Sequence, residues 1–242
     1  MTELNECSIP TQSDGEKRFK IFGVELAYLY LFGIIVAFLG WFVENVAKIV
    51  VGYVQWGGSY FDSRFHFLPF ISPYALIPLA LHIALGSPNE LRFFGKRVFK
   101  EKNKKTVILS NIASFLLMSF FVFAGELVIG NLWDILFDVE LWDYTADPTR
   151  VTQYTSLVTA LGFGVFAYII FKFIYTPILG FIRKKVNYRV AKYICLTLGI
   201  AIALDTVRLV VSMAIFGNDY NFNFWEFRDG SFYWTYLEKL PK

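Results

Sequence analysis

Cysteine and histidine are scarce in this sequence, with two of each in 242 residues. Cys7 belongs to a polar tail and Cys195 to a distant apolar run, so no disulfide framework or cysteine-based metal site is expected. His66 and His82 are too few for a histidine-based metal centre. There is no G-x-x-x-x-G-K-[ST] run, which excludes nucleotide hydrolysis by a P-loop. No serine stands in a hydrolase elbow. Strict repeats and low-complexity tracts are missing. The first twenty residues are polar, not a signal-peptide core, and the apolar run after them reads as an uncleaved signal anchor.

Apolar residues are abundant, at 56% of the chain, and they are bunched into long runs. The expected fold is an all-α polytopic membrane protein with five transmembrane helices, at about 22–54, 71–85, 107–130, 157–182 and 191–216. A polar tail (1–20) precedes this membrane domain (21–216), and an aromatic outer tail (217–242) follows it. The segment 131–155 is acidic and aromatic. Asp229-Gly230 is a turn signal in the tail, which is expected to pack along the outer interface, with a hairpin as the alternative. The run 71–85 is short and holds Pro73 and Pro78. Pro78 removes a helix hydrogen bond, and a re-entrant segment is the rival reading there.

Orientation follows from where basic residues are lacking. Of 23 Lys and Arg, 15 fall in the tail before the first run, the loop 92–105 and the loop 183–192. The alternate connections and the C-terminal tail hold five. Basic loops stay in the cytoplasm, which places the N-terminus inside and the C-terminus outside, in the plasma membrane of a bacterium. The same pattern accounts for the +3 net charge without nucleic acid. An odd span count argues against a simple inverted-repeat transporter.

Charges inside apolar runs are the candidates for function, because each costs at least ~2.5 kcal/mol at mid-bilayer. Asp205 and Arg208 lie one turn apart and can pair, either as a substrate contact or as a self-neutralised packing element. Glu126 has no local partner and needs one from another span. Gly125 and Gly130 beside it allow close helix approach. Glu44 and Lys48 share a helix face near the outer end of the first run. His82 reads as a packing histidine. Asp134, Asp138, Asp143 and Asp147 match no calcium loop and read as a solvated acidic face.

Ser87-Pro88-Asn89-Glu90 reads as a helix start. Leu91, Phe94 and Val98 then fall at helical spacing, with Arg92, Lys96, Arg97 and Lys100 off the stripe. This predicts a basic amphipathic helix over 88–100 on the inner membrane surface, contacting anionic lipid or a cytoplasmic partner.

Several pieces together resemble the putative ABC-transporter type IV permeases. They are Gly40-Trp41-Phe42-Val43-Glu44, Phe67-Leu68-Pro69-Phe70-Ile71-Ser72-Pro73-Tyr74, Gly125-Glu126-Leu127-Val128-Ile129-Gly130 and Leu141-Trp142-Asp143-Tyr144-Thr145. The resemblance spans about 39–177, and the tryptophan-aspartate-tyrosine piece is its most distinctive part. It implies that Glu44, Glu126, Trp142, Asp143 and Tyr144 occupy the family's recurrent polar positions, and that Arg64 corresponds to the basic residue of its first outer loop. The chain departs from the pattern at Pro148-Thr149-Arg150-Val151-Thr152, where the family has an Asn and a Gly. The family's Gly-rich approach to the second span is also missing.

The resemblance implies a transport permease subunit with a separate nucleotide-binding subunit. Two other readings stand beside it. One is an intramembrane enzyme or binding protein for a lipid or isoprenoid at the outer leaflet, using Glu44, Glu126 and Asp143. The other is a scaffold for another membrane protein. Membrane lipids and a second copy of the chain are further expected partners. No cofactor is expected.

Overall fold

The computed structural model describes residues 18–55, 61–87, 90–99, 103–217, 222–228 and 230–235. The chain is mostly helical. Helix α1 is Leu26–Gln55 and α2 is Ser72–Leu85. Helix α3, Lys104–Phe137, starts with a capping box in which Asn103 and Thr106 satisfy each other's backbone N–H groups. Helix α4, Leu157–Ile169, is capped by Ser156 and runs through a single π turn, Ile170–Ile174, into α5, Tyr175–Lys185. Helix α6 is Tyr188–Phe216, capped by Asn187.

Four of these helical stretches are long and apolar enough to cross a membrane: Leu26–Val46, Lys104–Phe137, Leu157–Lys185 and Tyr188–Phe216. The second expected span is helical but only 14 residues long. At 1.5 Å per residue it reaches roughly 21 Å, short of the ~30 Å hydrocarbon core. Pro73 sits at its start, and Pro78 is accommodated inside it.

Helix α1 is the hub, packing against α2, α5 and α6, while α3 packs mainly on α4. Inside the protein, 44% of the α1 span is buried, against 11% to 17% for the other three. Small residues set the close pairs. Gly40 leaves no room for a Cβ beside the Tyr74 ring, and Gly164 leaves none beside Ser119. The core joins Leu29, Phe32, Leu85, Met118, Phe171 and Tyr175 from five helical segments.

The described connections hold short strands. Strands β1, Lys20–Ile21, and β2, Val24–Glu25, pair just before α1. Strand β3, Phe61–Asp62, pairs with β9, Glu226–Arg228, which forms a hairpin with β10, Ser231–Tyr233. Gly230, of the expected Asp229-Gly230 turn, takes φ +73°, and Asp229 lies outside the described residues. Strands β7, Arg150–Thr152, and β8, Thr155–Ser156, close the loop before α4.

The amphipathic helix expected over 88–100 is not formed. Strands β4, Gly86–Ser87, β5, Glu90–Phe93, and β6, Lys96–Arg97, make a small antiparallel sheet instead. The cause is the turn Phe94-Gly95, where both residues take positive φ (46° and 88°). Two such residues form the tight hairpin turn, which a helix cannot contain. Within the sheet Leu91 is buried while Phe93 and Phe94 are exposed. Pro88, Asn89 and Lys100 lie outside the described residues.

Candidate functional site

The helix ends gather at two faces. At the face where α1 begins, the Tyr28 hydroxyl donates to Val186 O, the Cys195 thiol to Ala27 O and Arg183 to Glu25 at 2.7 Å. His82 is fully buried there, as a packing histidine. Its Nε2 donates to Ile21 O at 2.8 Å, and its Nδ1 lies 2.7 Å from the Tyr175 hydroxyl. The π turn immediately precedes Tyr175.

At the opposite face, four charged residues singled out by sequence have buried or half-buried partners. Asp205 is 5% exposed at its side chain and does more than pair with Arg208. Its carboxylate accepts from the backbone N–H groups of Phe67 and Leu68 at 2.9 to 3.0 Å and from Arg208 Nε at 3.0 Å. His66 Nδ1 lies 3.5 Å away. Arg208 donates to Phe65 O and covers the Phe224 ring.

The pair therefore clamps the loop between β3 and α2. Asp205 lies roughly 17 Å before the end of α6 by helical rise, so this loop reaches down between the helices. Irregular backbone at such depth needs internal partners. Asn45, fully buried on α1, supplies more: its Oδ1 accepts from Asp62 N at 2.8 Å and its Nδ2 donates to Trp41 O and Asp62 O. Ser63 Oγ accepts from Phe224 N at 2.7 Å.

Glu44 sits one residue from Asn45. Its Oε2 pairs with Arg64 at 3.1 Å and its Oε1 accepts from the Tyr74 hydroxyl at 2.6 Å. The expected partner Lys48 has its side chain outside the described residues. Glu126 is half-buried on α3. It accepts from Tyr144 and Thr155 hydroxyls, each at 3.2 Å, and no cation among the described residues pairs with it. Gly130 admits the Tyr154 ring, while Gly125 faces open space.

Tyr144 is pushed up to about 12, by burial first and then by the Glu126 carboxylate, so it remains a hydrogen-bond donor at neutral pH. Trp142 Nε1 donates to Tyr154 O at 2.7 Å and fixes this loop over α3. Asp143 does not join the glutamates: it is exposed and its carboxylate closes on Thr145 N and Oγ1. Asp147 likewise accepts from Thr149 and Ser156, at 2.6 Å from Ser156 Oγ. An open groove of about 340 Å³ is lined by Val43, Thr159, Gly162, Phe163 and Phe166.

At the α1-start face, Arg92 and Arg97 both reach Glu90 in the small sheet, Arg92 at 3.1 Å, and Lys96 is exposed. Sequence reasoning missed Asn45, Tyr74 and Thr155. All three are uncharged polar residues in or beside apolar segments, and only Tyr74, inside a recognised piece of motif, carried a signal.

Fold and site define a multi-span helical membrane protein with charged groups held between its helices. Residues 30–210 match the family described as "Putative ABC-transporter type IV", and the chain belongs to that family. No curated protein and no solved structure matches it.

Proposed function

We propose that this chain is the membrane-embedded permease subunit of a transporter whose ATPase is a separate polypeptide. Membership of the transporter family supports this, as does the lack of a P-loop in the sequence. The observation that carries the reading is Glu126, a carboxylate on a helix long and apolar enough to cross a membrane, which accepts from the Tyr144 and Thr155 hydroxyls. Intramembrane carboxylates are costly, and one whose partners among the described residues are hydroxyls is suited to contact a passing solute. Asp205 and Arg208 act by holding the loop that carries Arg64.

In this reading the chain crosses a plasma membrane five times, N-terminus inside and C-terminus outside. Helix α2 and the loop 61–71 together make the second crossing. The face bearing Arg92, Lys96 and Arg97 is cytoplasmic, where it meets anionic lipid and the nucleotide-binding subunit. The glutamates then open toward the outer leaflet.

The test is ATP turnover by material captured from native membranes and reconstituted in nanodiscs. Vanadate-sensitive hydrolysis that Glu126→Gln uncouples from its wild-type solute dependence is the expected result. Captured material with no ATPase activity in any lipid would count against the proposal.

A further inference from the structure

The face where α1 begins leaves aromatic rings open beside the helix ends. Phe19, Phe22, Phe93 and Phe94 are exposed there, from 41% to 64%. Backbone bonds fix their level. Leu26, the first residue of a helix long and apolar enough to cross a membrane, donates to Phe19 O at 3.0 Å. Phe94 N donates to Ala84 O, in the last turn of α2, at 2.9 Å. The hairpin β1–β2 also touches the sheet β4–β6: the Phe22 ring lies against Gly95 and 5.1 Å under the Arg92 guanidinium. Together they make one platform, with its rings at the level where α1 starts its apolar run.

Cations surround the rings. Glu90 holds both Arg92 and Arg97, Glu25 holds both Lys20 and Arg183, and Lys96 is exposed. Positive charge is therefore in excess on the platform. Open rings interleaved with surplus cations, at the level of a helix end, are complementary to a bilayer surface. Its acyl chains take the rings and its phosphates take the cations.

We infer that this platform is an anchor in an anionic lipid leaflet. Phe93 and Phe94, at the tip of the β5–β6 hairpin, insert beneath the head groups, and Lys96 pairs with lipid phosphate. The level of the rings favours lipid over a protein from the water, which would meet them flush with the head groups. The inference rests on the proposed reading of this face as one that meets anionic lipid, and it names the residues that insert. It needs no ATPase, so anchoring and ATP-coupled transport can fail separately.

The experiment places the photoreactive amino acid p-benzoylphenylalanine at position 94 of the full chain. The purified protein is irradiated in nanodiscs of equal phosphatidylglycerol and phosphatidylcholine, and adducts are identified by mass. The expected result is lipid adducts that favour phosphatidylglycerol by roughly tenfold. The same amino acid at position 120, where Phe120 is an exposed ring on α3, should label the two lipids equally. Lys96→Gln, at an exposed position, should cut the preference at position 94 by about fivefold, the effect of one basic residue at an anionic surface. An absence of lipid adducts at position 94, or equal labelling of the two lipids there, overturns the proposal. So does a preference as large at position 120. Irradiation in native membranes that joins position 94 to a protein in place of lipid overturns it too, and makes the tip a docking point for a partner subunit.

Discussion

Asp205 illustrates how a charge in an apolar helix is justified by its partners. It could have been a substrate contact or a packing pair. Its carboxylate is instead filled by two loop N–H groups and one guanidinium. Asp205→Ala should leave two backbone donors unmatched and take the carboxylate from the half-buried Arg208, a loss of about 3 kcal/mol. The purified variant should unfold at a clearly lower temperature and become protease-sensitive in the loop 61–71; an unchanged melting curve would contradict the clamp.

Asp147 gives a pH signature outside the membrane. Hydrogen bonds from Ser156 and from Thr149 hold its carboxyl below the ordinary range. A depressed carboxyl stabilises the folded loop above its unfolded value, and that contribution is lost as pH falls through the folded one. Amide protection factors of residues 149–156, corrected for the intrinsic exchange rate, should therefore stay high at neutral pH and fall on acidification below the usual carboxylate range. Asp147→Asn should remove that pH dependence.

The charged members of the site were legible because Glu, Asp and Arg stand out in apolar runs. Asn45 and Thr155 were not, since a lone amide or hydroxyl there costs little enough to pass as packing.

Among the elements, the long helices were legible because length and apolar content determine them. Their ends shifted by a few residues where caps decide: Asn103 starts α3 at Lys104, ahead of the expected 107. The small sheet at 86–97 was misread because Leu91, Phe94 and Val98 fit a helical stripe as well as a hairpin. Gly95 was the discriminating residue. Gly95→Val should strain the turn by about 1–3 kcal/mol. Exchange protection of the Val98 N–H, bonded to Leu91 O at 3.1 Å, should fall while the helices keep theirs. Full protection would mean that the turn does not need glycine. The π turn at 170–174 had no sequence signal. It follows from packing Tyr175 against His82 and Phe32.

For the whole molecule, the sequence indicates a membrane setting but not which helices pair. Pairing depends on surface fit, such as Gly40 against Tyr74, which no hydropathy window contains. That pairing is what brings Tyr74 to Glu44, from positions 30 residues apart in sequence (74 − 44). Helices α3 and α4 still expose long apolar faces, including Ile108, Phe120, Val128 and Phe166, suited to lipid or a second membrane chain.

The central claim is that this chain is a permease subunit served by a separate ATPase. The most direct measurement is capture of the intact protein from its own membranes in mild detergent, with quantitative mass spectrometry of what accompanies it. The account predicts a nucleotide-binding subunit in fixed stoichiometry, released when the Arg92, Lys96 and Arg97 charges are reversed together. Capture of the chain with lipid alone, unchanged by those reversals, would contradict it.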